Sequence, residues 1–573
     1  MAGIQSVLDI GQWALHAQQL GMAVTAHNVA NVNTQGYSRQ RLILEPATPE
    51  NYQPGQIGRG VRAASIERVY DRFLGLQLRN ELSTKGSLQA QSSYYKQLES
   101  IFSGLSDSDL GSELRAFWSA WDELSIHPEG GTERVGVREA ALQVASRIRG
   151  LREKLVGLQE QLNRSIRVSL DRANELSSQV AQLNIQIKRT EGSGQNANDL
   201  RDMRDKALDE LAGLMEIQFW ETQDGFSVVG PGGVALVEGP NHWSLTSQTA
   251  DTGLEEIFWK SSSGALVPIT DKMGAGAIGG MLRLGQEVVS RELDRLDRLS
   301  AELIWNVNQQ LSTSSGKTPF TSLVGQAVSD PSQPLTDSGL PFGERIIDGE
   351  IHIWLYDGGN PPAALGRVEV NVTAGVTTLQ DLVDQIQNDP DNAGRLQASI
   401  TAEGRLNLQA AGGGGFAISQ DTSGALAALE INTLFTGSGS LDINVSRAVM
   451  QESRLIGAGR VEDLTGAFSP GDNRAALEVL ALRDSPLLDG ESLEQAWSSA
   501  VAGLGVEASG AYRVADYQDQ VVEQLEQQRS STSGVNLDEE MVKLLEYQWA
   551  YQAAARLIET GRHMMQSLIE MMR

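Results

Sequence analysis

The segment 274–279 (GAGAIG) is the part of the sequence that could hold a dinucleotide cofactor. It matches the glycine fingerprint that lets a pyrophosphate approach the start of a helix. Such a site also needs a following strand with an acidic residue for the ribose, whereas the predicted helix leads here into a stretch rich in Pro and Ser. We therefore interpret these glycines as a flexible helix entry and the glycine run 412–415 as a surface turn, and we expect no cofactor.

Histidines, acidic residues and cysteines offer no catalytic or metal-binding pattern. The histidines are His16, His27, His127, His242, His352 and His563, and no two are spaced three or four residues apart, as a metal pair on a helix would be. The 73 acidic residues include no pair that stands out for acid–base chemistry, and the chain has no cysteine for a thiolate ligand or nucleophile. We expect neither enzymatic activity nor a metal site.

The C-terminal segment from Leu537 onward has the pattern of one long amphipathic helix. Residues at alternating steps of four and three form a seam through Leu537, Met541, Leu544, Gln548, Tyr551, Ala555, Ile558, Arg562, Met565, Ile569 and Met572. A second apolar stripe lies beside it, at Val542, Leu545, Trp549, Leu557, Met564, Leu568 and Met571. This pattern predicts a helix that buries two neighbouring faces, with its methionines as packing material.

The N-terminal segment, up to about residue 32, repeats this design. One seam runs through Ile4, Leu8, Leu15, Met22 and Val29, and another through Val7, Ile10, Ala14, Ala17 and Val24. Ordering ~30 residues costs roughly 30–60 kcal/mol of backbone entropy, whereas burying about ten apolar side chains returns only ~15–30 kcal/mol. Both ends therefore need a partner, and two arrangements remain open: one antiparallel pair within the chain, or packing against other subunits.

The middle of the chain alternates between helical and β-rich blocks. A long rod-like helix is predicted over 132–189, with a seam at Leu151, Leu155, Leu158, Leu162, Ile166, Leu170, Ala173, Leu176, Val180, Leu183 and Ile187. The segment 216–270 has the two-residue period of antiparallel strands, and 318–342 has the composition of a linker. Other predicted helices are 199–214, 279–311, 379–387, 473–482, 493–502 and 512–528; predicted strands of an outer module are 350–356, 367–372, 397–401 and 406–409.

These patterns predict an α+β protein in which long terminal and rod-like helices form a coiled-coil core with β-rich outer inserts. The predicted parts are a terminal coiled-coil domain (1–40 with 534–573), a helical rod-like domain (41–215 with 271–320 and 455–533), a β-rich insert (216–270) and an outer α+β domain (321–454). At ~100–200 residues per domain, a chain of 573 residues is long enough for this division.

Composition excludes several classes of partner. The net charge of -27 argues against nucleic acid, which requires concentrated Lys and Arg. No apolar run approaches the ~20 residues of a membrane-spanning helix, so we expect no membrane insertion. The first residues lack a basic region followed by an apolar run, so we expect a cytoplasmic protein or export without a cleaved signal peptide.

Both ends resemble the flagellar axial proteins, a family of rod, hook and hook-associated components. The segment 28–37 (NVANVNTQGY) resembles the N-terminal signature of this family, and 533–540 (SGVNLDEE) resembles the C-terminal signature of a hook-associated member. Hook and rod proteins usually carry another version of the second segment. Further stretches that resemble the family are 58–78, 117–145, 279–311, 429–437 and 471–484. Glu430 stands where the family commonly has Gly.

The resemblance implies a structural adaptor of the extracellular flagellum, exported by the flagellar type III route, that joins hook to filament as a ring of identical subunits. Implied partners are copies of itself, the hook protein, a second hook–filament junction protein and an export chaperone on the C-terminal helix. The predicted interface consists of Ile4, Leu8, Leu15, Met22, Val29, Asn31, Asn33, Gly36, Tyr37, Val535, Leu537, Met541, Leu544, Tyr551, Ile558, Met565 and Ile569. Alternatives are another axial component, such as hook or distal rod protein, and a secreted adhesin or enzyme with its activity in 320–450.

Overall fold

The computed structural model describes residues 2–52, 55–103, 109–223, 225–467 and 469–571, and its fold is α+β, as predicted. Its helices are α1 (Ala2–Ala30), α2 (Arg72–Ser103), α3 (Leu110–Ile126), α4 (Gly131–Gly192), α5 (Asn198–Leu214), α6 (Gly276–Arg283), α7 (Ser290–Ser312), α8 (Leu379–Asn388), α9 (Ala425–Ala428), α10 (Arg447–Gln451), α11 (Arg474–Ala481), α12 (Leu493–Ser533) and α13 (Leu537–Met571).

The strands are short and pair antiparallel in small sheets. In chain order they are β1 (Gln40–Pro46), β2 (Glu50–Tyr52), β3 (Gly55–Ile57), β4 (Val61–Arg68), β5 (Gln218–Thr222), β6 (Gly225–Val229), β7 (Ala235–Glu238), β8 (Asn241–His242), β9 (Leu245–Thr249), β10 (Glu255–Lys260), β11 (Leu266–Pro268), β12 (Ser314–Ser315), β13 (Ser322–Ala327), β14 (Gly349–Tyr356), β15 (Ala364–Val372), β16 (Leu396–Ile400), β17 (Arg405–Ala410), β18 (Gly415–Asp421), β19 (Phe435–Thr436), β20 (Asn444–Val445) and β21 (Gly459–Arg460).

The chain divides into two compact units, and the first contains both chain ends. The first unit comprises Met1–Tyr95, Glu160–Gln286 and Ser509–Arg573, and the second comprises Lys96–Gln159 and Glu287–Ala508. The finer four-part division predicted from the sequence stays a prediction.

The long helix predicted over 132–189 is present as α4, which is 62 residues long. Every residue of its predicted seam is buried, from Leu151 to Ile187. Steps of three and four residues keep these side chains on one face of the helix, so the seam is covered along its whole length.

Two asparagines of α4, Asn184 buried and Asn174 half-buried, anchor the β-rich insert of the first unit. Asn184 donates from Nδ2 to the carbonyl oxygens of Phe226 (3.0 Å) and Gly239 (2.9 Å), and its Oδ1 accepts from Phe226 N (3.1 Å). Asn174 exchanges a similar pair of hydrogen bonds with Leu245. The sheets β5-β6-β7-β8 and β11-β10-β9 therefore meet α4 through their main chains, and the predicted antiparallel block over 216–270 is confirmed.

In the second unit, the interpretation of 318–342 as a linker is wrong, because the segment is part of the fold. It contains β13, which pairs with β17 in the sheet β13-β17-β16. Most of its large apolar residues are buried: Phe320, Leu323, Val328, Leu335, Leu340 and Phe342. The Pro and Ser residues form turns between these anchors, so composition alone mistook a segment of many turns for a linker. The predicted strands β14 to β17 and helix α8 are present, and β18, which no sequence pattern indicated, completes a second sheet, β15-β14-β18.

Two predicted helix boundaries are corrected by the structure. The helices expected at 493–502 and 512–528 are one helix, α12, which passes through Gly503, Gly505 and Gly510. Its buried residues keep a heptad spacing across these glycines: Leu493, Trp497, Leu504, Ala508, Ala515, Val522 and Leu525. Burial of this seam outweighs the low helix propensity of Gly, which is ~1 kcal/mol per residue. Conversely, the helix expected over 279–311 is interrupted by a π-helical turn at Leu284–Val289.

Gly276 and Gly279 make the segment 274–279 a tightly packed helix start, and not the flexible entry predicted. Gly276 has a φ of 73°, and a Cβ there would lie 2.3 Å from the backbone of Met215. A Cβ on Gly280 would lie 2.4 Å from the carbonyl oxygen of Ser87. These glycines let α6 approach neighbouring backbone closely.

Candidate assembly site

The terminal helices α1 and α13 pack against each other as an antiparallel pair. The N-terminal half of α1 meets the C-terminal half of α13, since Gly11 lies against Ile558 and Gly561 lies against Leu8. Further along, Gly21 lies against Tyr547. Small residues occupy most of the buried positions of this contact: Gly11, Ala17, Gly21, Ala554 and Gly561. Because small side chains separate the two backbones least, the pair is closely packed.

The predicted interface residues lie at the edges of this contact or outside it. Half-buried members are Ile4, Leu8, Leu15, Met22, Val29, Asn31, Tyr37, Val535, Leu544, Tyr551, Ile558 and Met565. Exposed members are Asn33, Gly36, Leu537, Met541 and Ile569. The predicted seam counted large apolar residues, whereas the innermost positions are mostly glycine and alanine. The role of these residues in assembly stays a prediction.

The second stripe of α13 is uncovered in the single chain. Trp549 is 66% exposed. The other exposed members are Val542, Leu545, Leu557, Met564 and Met571, and Trp13 of α1 is also exposed. A contiguous apolar surface of this kind marks an interaction site. One of the two apolar faces predicted for α13 is therefore covered by α1, and the other faces solvent.

A buried hydrogen-bond network joins the end of α1 to the start of α13. Asn28 Nδ2 donates to Glu540 Oε2 (2.8 Å) and to the carbonyl oxygen of Gln40 (2.9 Å). Asn28 Oδ1 accepts from the hydroxyl of Tyr37 (2.8 Å) and from Gln40 N (3.0 Å). Lys543 Nζ donates to the other Glu540 oxygen (2.9 Å). The two segments that resemble the family signatures thus form one site.

A row of aspartates on α5 lies next to this network and hydrogen-bonds to its main chain. Asp199, Asp202, Asp205 and Asp209 are spaced three, three and four residues apart and therefore share one face of the helix. Asp202 Oδ2 accepts from Ser38 N (2.8 Å), directly after the N-terminal signature. The row thereby fixes the direction in which the chain leaves α1.

Three arginines from other elements, Arg79 buried and Arg68 and Arg529 half-buried, pair with the last three aspartates of this row. Arg68 of β4 bonds Asp202 (2.9 Å) and Asp205 (2.6 Å). Arg79 of α2 bonds Asp205 (3.0 Å) and Asp209 (2.7 Å), and Arg529 of α12 bonds Asp209 (2.8 Å). These ion pairs connect β4, α2 and α12 to α5. Sequence reasoning missed it, although the spacing of the four aspartates on a predicted helix was a visible signal.

The pKa shifts follow from burial and from these charges. Burial raises the pKa of Tyr37, and Asp199, Asp202 and Glu540 raise it further, so its hydroxyl stays a hydrogen-bond donor to Asn28. Burial also raises the pKa of Asp202, against the hydrogen bonds from Ser38 and Arg68 that lower it.

Clefts line both sides of the turn that follows α1. One, of about 290 Å³, lies between this turn, α5 and the end of α12, and its walls include Lys206, Arg529 and Val535. The other, of about 500 Å³, lies between the turn, α4 and α5, with Leu176 and Met203 among its walls. Gly36 has a φ of 84° and packs against Lys206, so the turn between the two clefts requires a glycine there.

Metal-binding clusters and membrane-spanning helices are both absent from the described residues. Within 2–52, 55–103, 109–223, 225–467 and 469–571, no group of three or more His, Cys, Asp or Glu residues is arranged to hold a metal ion. Over the same residues, no helix combines the length and the apolar composition needed to cross a membrane.

Family models match the chain in three places. The model for the flagellar hook-associated protein FlgK helical domain matches residues 95–318. A flagella basal body rod protein model matches 8–37, and a flagellar basal body rod FlgEFG protein C-terminal model matches 526–571. The rod models therefore match the terminal segments, whereas the FlgK model matches the middle of the chain.

Relatives with a single name match over almost the whole chain. The flagellar hook-associated protein 1 of Salmonella typhimurium is 24% identical over 99% of this chain and 100% of its own length. That of Bacillus subtilis is 26% identical over 98% of this chain and 97% of its own length.

The fold is similar to that of the flagellar hook junction protein FlgK from Burkholderia pseudomallei. The TM-score is 0.54 at 16% sequence identity, over 80% of this chain and 100% of that chain. This likeness shows the fold, and the full-length relatives together with the match of the helical domain identify the chain as a member of the flagellar hook-associated protein 1 family, a family of structural flagellar proteins.

Proposed function

We propose that the chain is a structural subunit that joins the flagellar hook to the filament as a ring of identical copies. The observation that carries the proposal is the exposed stripe of α13 around Trp549. The other face of α13 already packs against α1. A neighbouring copy of the chain is therefore the simplest partner to bury this stripe. Burying such side chains stabilises an assembly by ~1.5–3 kcal/mol for each fully buried residue.

The two faces of α13 have different roles in this proposal. The inner face, with Gly561 and Ala554 against α1, holds the antiparallel pair together before and after assembly. The outer face is free to contact neighbours in the ring, the hook protein on one side and a second junction protein on the other. Met541 and Ile569 of the other predicted seam also have exposed side chains, and we assign them to contacts with neighbouring subunits as well.

Before assembly, the same apolar stripe of α13 must be shielded from contact with other proteins. An apolar helix face in a soluble subunit promotes aggregation. We therefore expect an export chaperone to bind α13 inside the cell and to release it at the flagellar type III export apparatus. The β-rich inserts and the outer α+β domain would then face away from the ring, on the outside of the flagellum.

The test is complementation of cells that lack this chain. Loss of the chain should leave bare hooks with flagellin lost to the medium, and the unaltered chain should restore filaments. Trp549→Glu should fail to restore them, because it places a charge in the proposed contact. Its purified monomer should still unfold at the same temperature as the unaltered chain, since Trp549 is mostly exposed.

The matched control is Leu464→Glu, which places the same charge on a residue of the second unit that is 82% exposed. This variant should restore filaments. Full filaments on hooks of cells that lack the chain, or normal filaments with Trp549→Glu, would contradict the proposal.

A further inference from the structure

The second unit contains a small cavity whose walls are mostly apolar. Its volume is about 190 Å³, and it lies between β13, the segment after α9 and the segment from α10 to β21. The buried apolar walls include Leu323, Leu434, Val449 and Ile456. A cavity of this size holds a small organic group better than a macromolecular surface.

A carboxyl group without a cation lines this cavity. Glu430 Oε1 accepts one hydrogen bond, from Gly437 N (3.0 Å). Among the described residues, no Lys, Arg or His lies within ion-pair distance of Glu430. The charge of Arg405 lowers the pKa of Glu430, but its guanidinium donates to the carbonyl oxygen of Gly325 (3.1 Å). Burial raises the pKa of Glu430.

Glu430 is half-buried, and the glutamates that are fully buried among the described residues each have a cation. Glu255 pairs with Arg167 (2.6 Å), Glu292 with Arg295 (2.9 Å) and Glu540 with Lys543 (2.9 Å). Taking a carboxylate out of water is costly unless a cation or several donors compensate it. Half-buried Glu430 is partly removed from water as well, but it has no such cation among the described residues.

A second polar group in the cavity has no partner. Thr433 is buried, and its hydroxyl makes no hydrogen bond among the described residues. Between the two, Asn432 Nδ2 donates to the carbonyl oxygens of Leu311 (2.8 Å) and Ser314 (2.9 Å), which fixes the segment in place. Buried hydroxyl groups are nearly always hydrogen-bonded in folded proteins, so the Thr433 hydroxyl is free to bond a ligand in the cavity.

The backbone at Glu430 holds the carboxyl group in position at a conformational cost. Glu430 has a φ of 53°, in the left-handed region that glycine adopts freely and glutamate avoids. Glycine would adopt this backbone conformation at a lower cost. The turn therefore does not explain why a glutamate occupies this position.

We propose that this cavity binds an organic cation, a primary ammonium or guanidinium group on a short aliphatic stem. The Glu430 carboxylate is its counter-ion, and the Thr433 hydroxyl oxygen accepts one of its hydrogen bonds. The apolar walls contact the stem. One carboxylate and one hydroxyl supply fewer oxygen ligands than Ca²⁺ takes, which favours an organic cation over a metal ion.

Two kinds of ligand have such a cationic group on an aliphatic stem: a free amine, and the side chain of a Lys or Arg residue on a partner. The cavity opens to solvent beside Val324, which is exposed, so either can enter. The proposal is independent of the function at the terminal helices, since no residue of α1 or α13 lines the cavity.

The experiment titrates the full chain with butylammonium, followed by NMR of the methyl groups of Thr433, Leu434 and Val449. We expect saturable shifts, and we expect butanol, which has the same stem without the charge, to bind at least about tenfold more weakly. Equal binding of butanol, or no saturable shift, would overturn the proposal. N-acetyl-lysine methylamide and N-acetyl-arginine methylamide then distinguish the sources: if they bind as well as butylammonium, a partner side chain fits, and if they are excluded, a free amine fits.

Variants separate binding from folding. Glu430→Gln and Thr433→Val should each weaken butylammonium binding, whereas Glu344→Gln, at an exposed site away from the cavity, should not. Glu430→Gly should abolish binding and keep or raise the melting temperature, because it relieves the left-handed backbone. Retained binding in Glu430→Gly would refute the role of the carboxylate.

Discussion

Asn28 and Glu540 are 512 residues apart in sequence, and Asn28 Nδ2 donates a hydrogen bond of 2.8 Å to Glu540 Oε2. Each residue is only 1% exposed. A buried carboxylate requires donors, and here one of them comes from the opposite end of the chain. This contact couples the order of the N-terminal turn to that of α13, because the same asparagine accepts from Tyr37 and Gln40.

Asn28→Ala should loosen both ends at once. The change leaves Glu540 without one donor and Gln40 N without its acceptor, and it removes the shorter of two contacts of the Tyr37 hydroxyl, which also lies 3.1 Å from His27 Nδ1. A buried unsatisfied group costs about 1–3 kcal/mol. Hydrogen exchange should report it as lower protection of the backbone amides in α1 and α13. The exposed Asn33 on the same turn provides the control, and Asn33→Ala should leave protection unchanged. Equal protection in the two variants would show that the network contributes nothing to the pair.

Gly11→Ala should destabilise the helix pair, although alanine favours a helix over glycine by ~1 kcal/mol. A Cβ at Gly11 would lie 2.6 Å from Ile558 Cγ1, so the two backbones must separate, at ~1–3 kcal/mol for overpacking. At Gly3, on the same helix, an added Cβ would meet no atom within 4 Å. Gly3→Ala should therefore be neutral or slightly stabilising in thermal unfolding. A gain in stability from both variants would refute the close packing at Gly11.

Arg79→Met should be among the most destabilising changes in the first unit. Arg79 is 3% exposed in its side chain and holds Asp205 and Asp209 of α5. Removing one partner of a buried ion pair typically costs ~3–5 kcal/mol, because the remaining charge stays buried. Arg72, seven residues earlier on α2, pairs with Glu221 but is 78% exposed. Arg72→Met should cost less than ~1 kcal/mol in urea unfolding. Similar losses for the two variants would contradict the assigned burial.

Periodicity predicted the parts of the fold in which large apolar residues decide the packing. The seam of α4 from Leu151 to Ile187 is buried as expected, because leucine and isoleucine at steps of three and four can be covered on only one face. The strand alternation in 216–270 was equally informative. The signatures at 28–37 and 533–540 were recognised separately, and the structure brings them together through Asn28 and Glu540.

Periodicity could not find contacts made by small or charged residues. Gly11 and Gly561 carry no hydrophobic signal, yet they occupy innermost positions between α1 and α13. The aspartates of α5 resemble a solvated face in sequence, and only the fold supplies Arg68 and Arg79 from distant segments. The strand β13, which is buried on one face, was missed because its pairing partner, β17, lies far along the chain.

Asp463 should give the second unit a component of stability that is lost in acid. Burial alone would raise the pKa of Asp463, but hydrogen bonds from Ser419 (2.6 Å) and His352 (2.8 Å), with the charge of Arg367, hold it below its ordinary value of 3.8. The contribution is therefore present above pH 3.8 and disappears as the pH falls through the lower pKa of the folded state. In urea unfolding, Asp463→Asn should be less stable than the unaltered chain at neutral pH, and this difference should shrink in acid. Exposed Glu344→Gln should follow the unaltered chain throughout, and a difference for Asp463→Asn that stays constant with pH would contradict the predicted linkage.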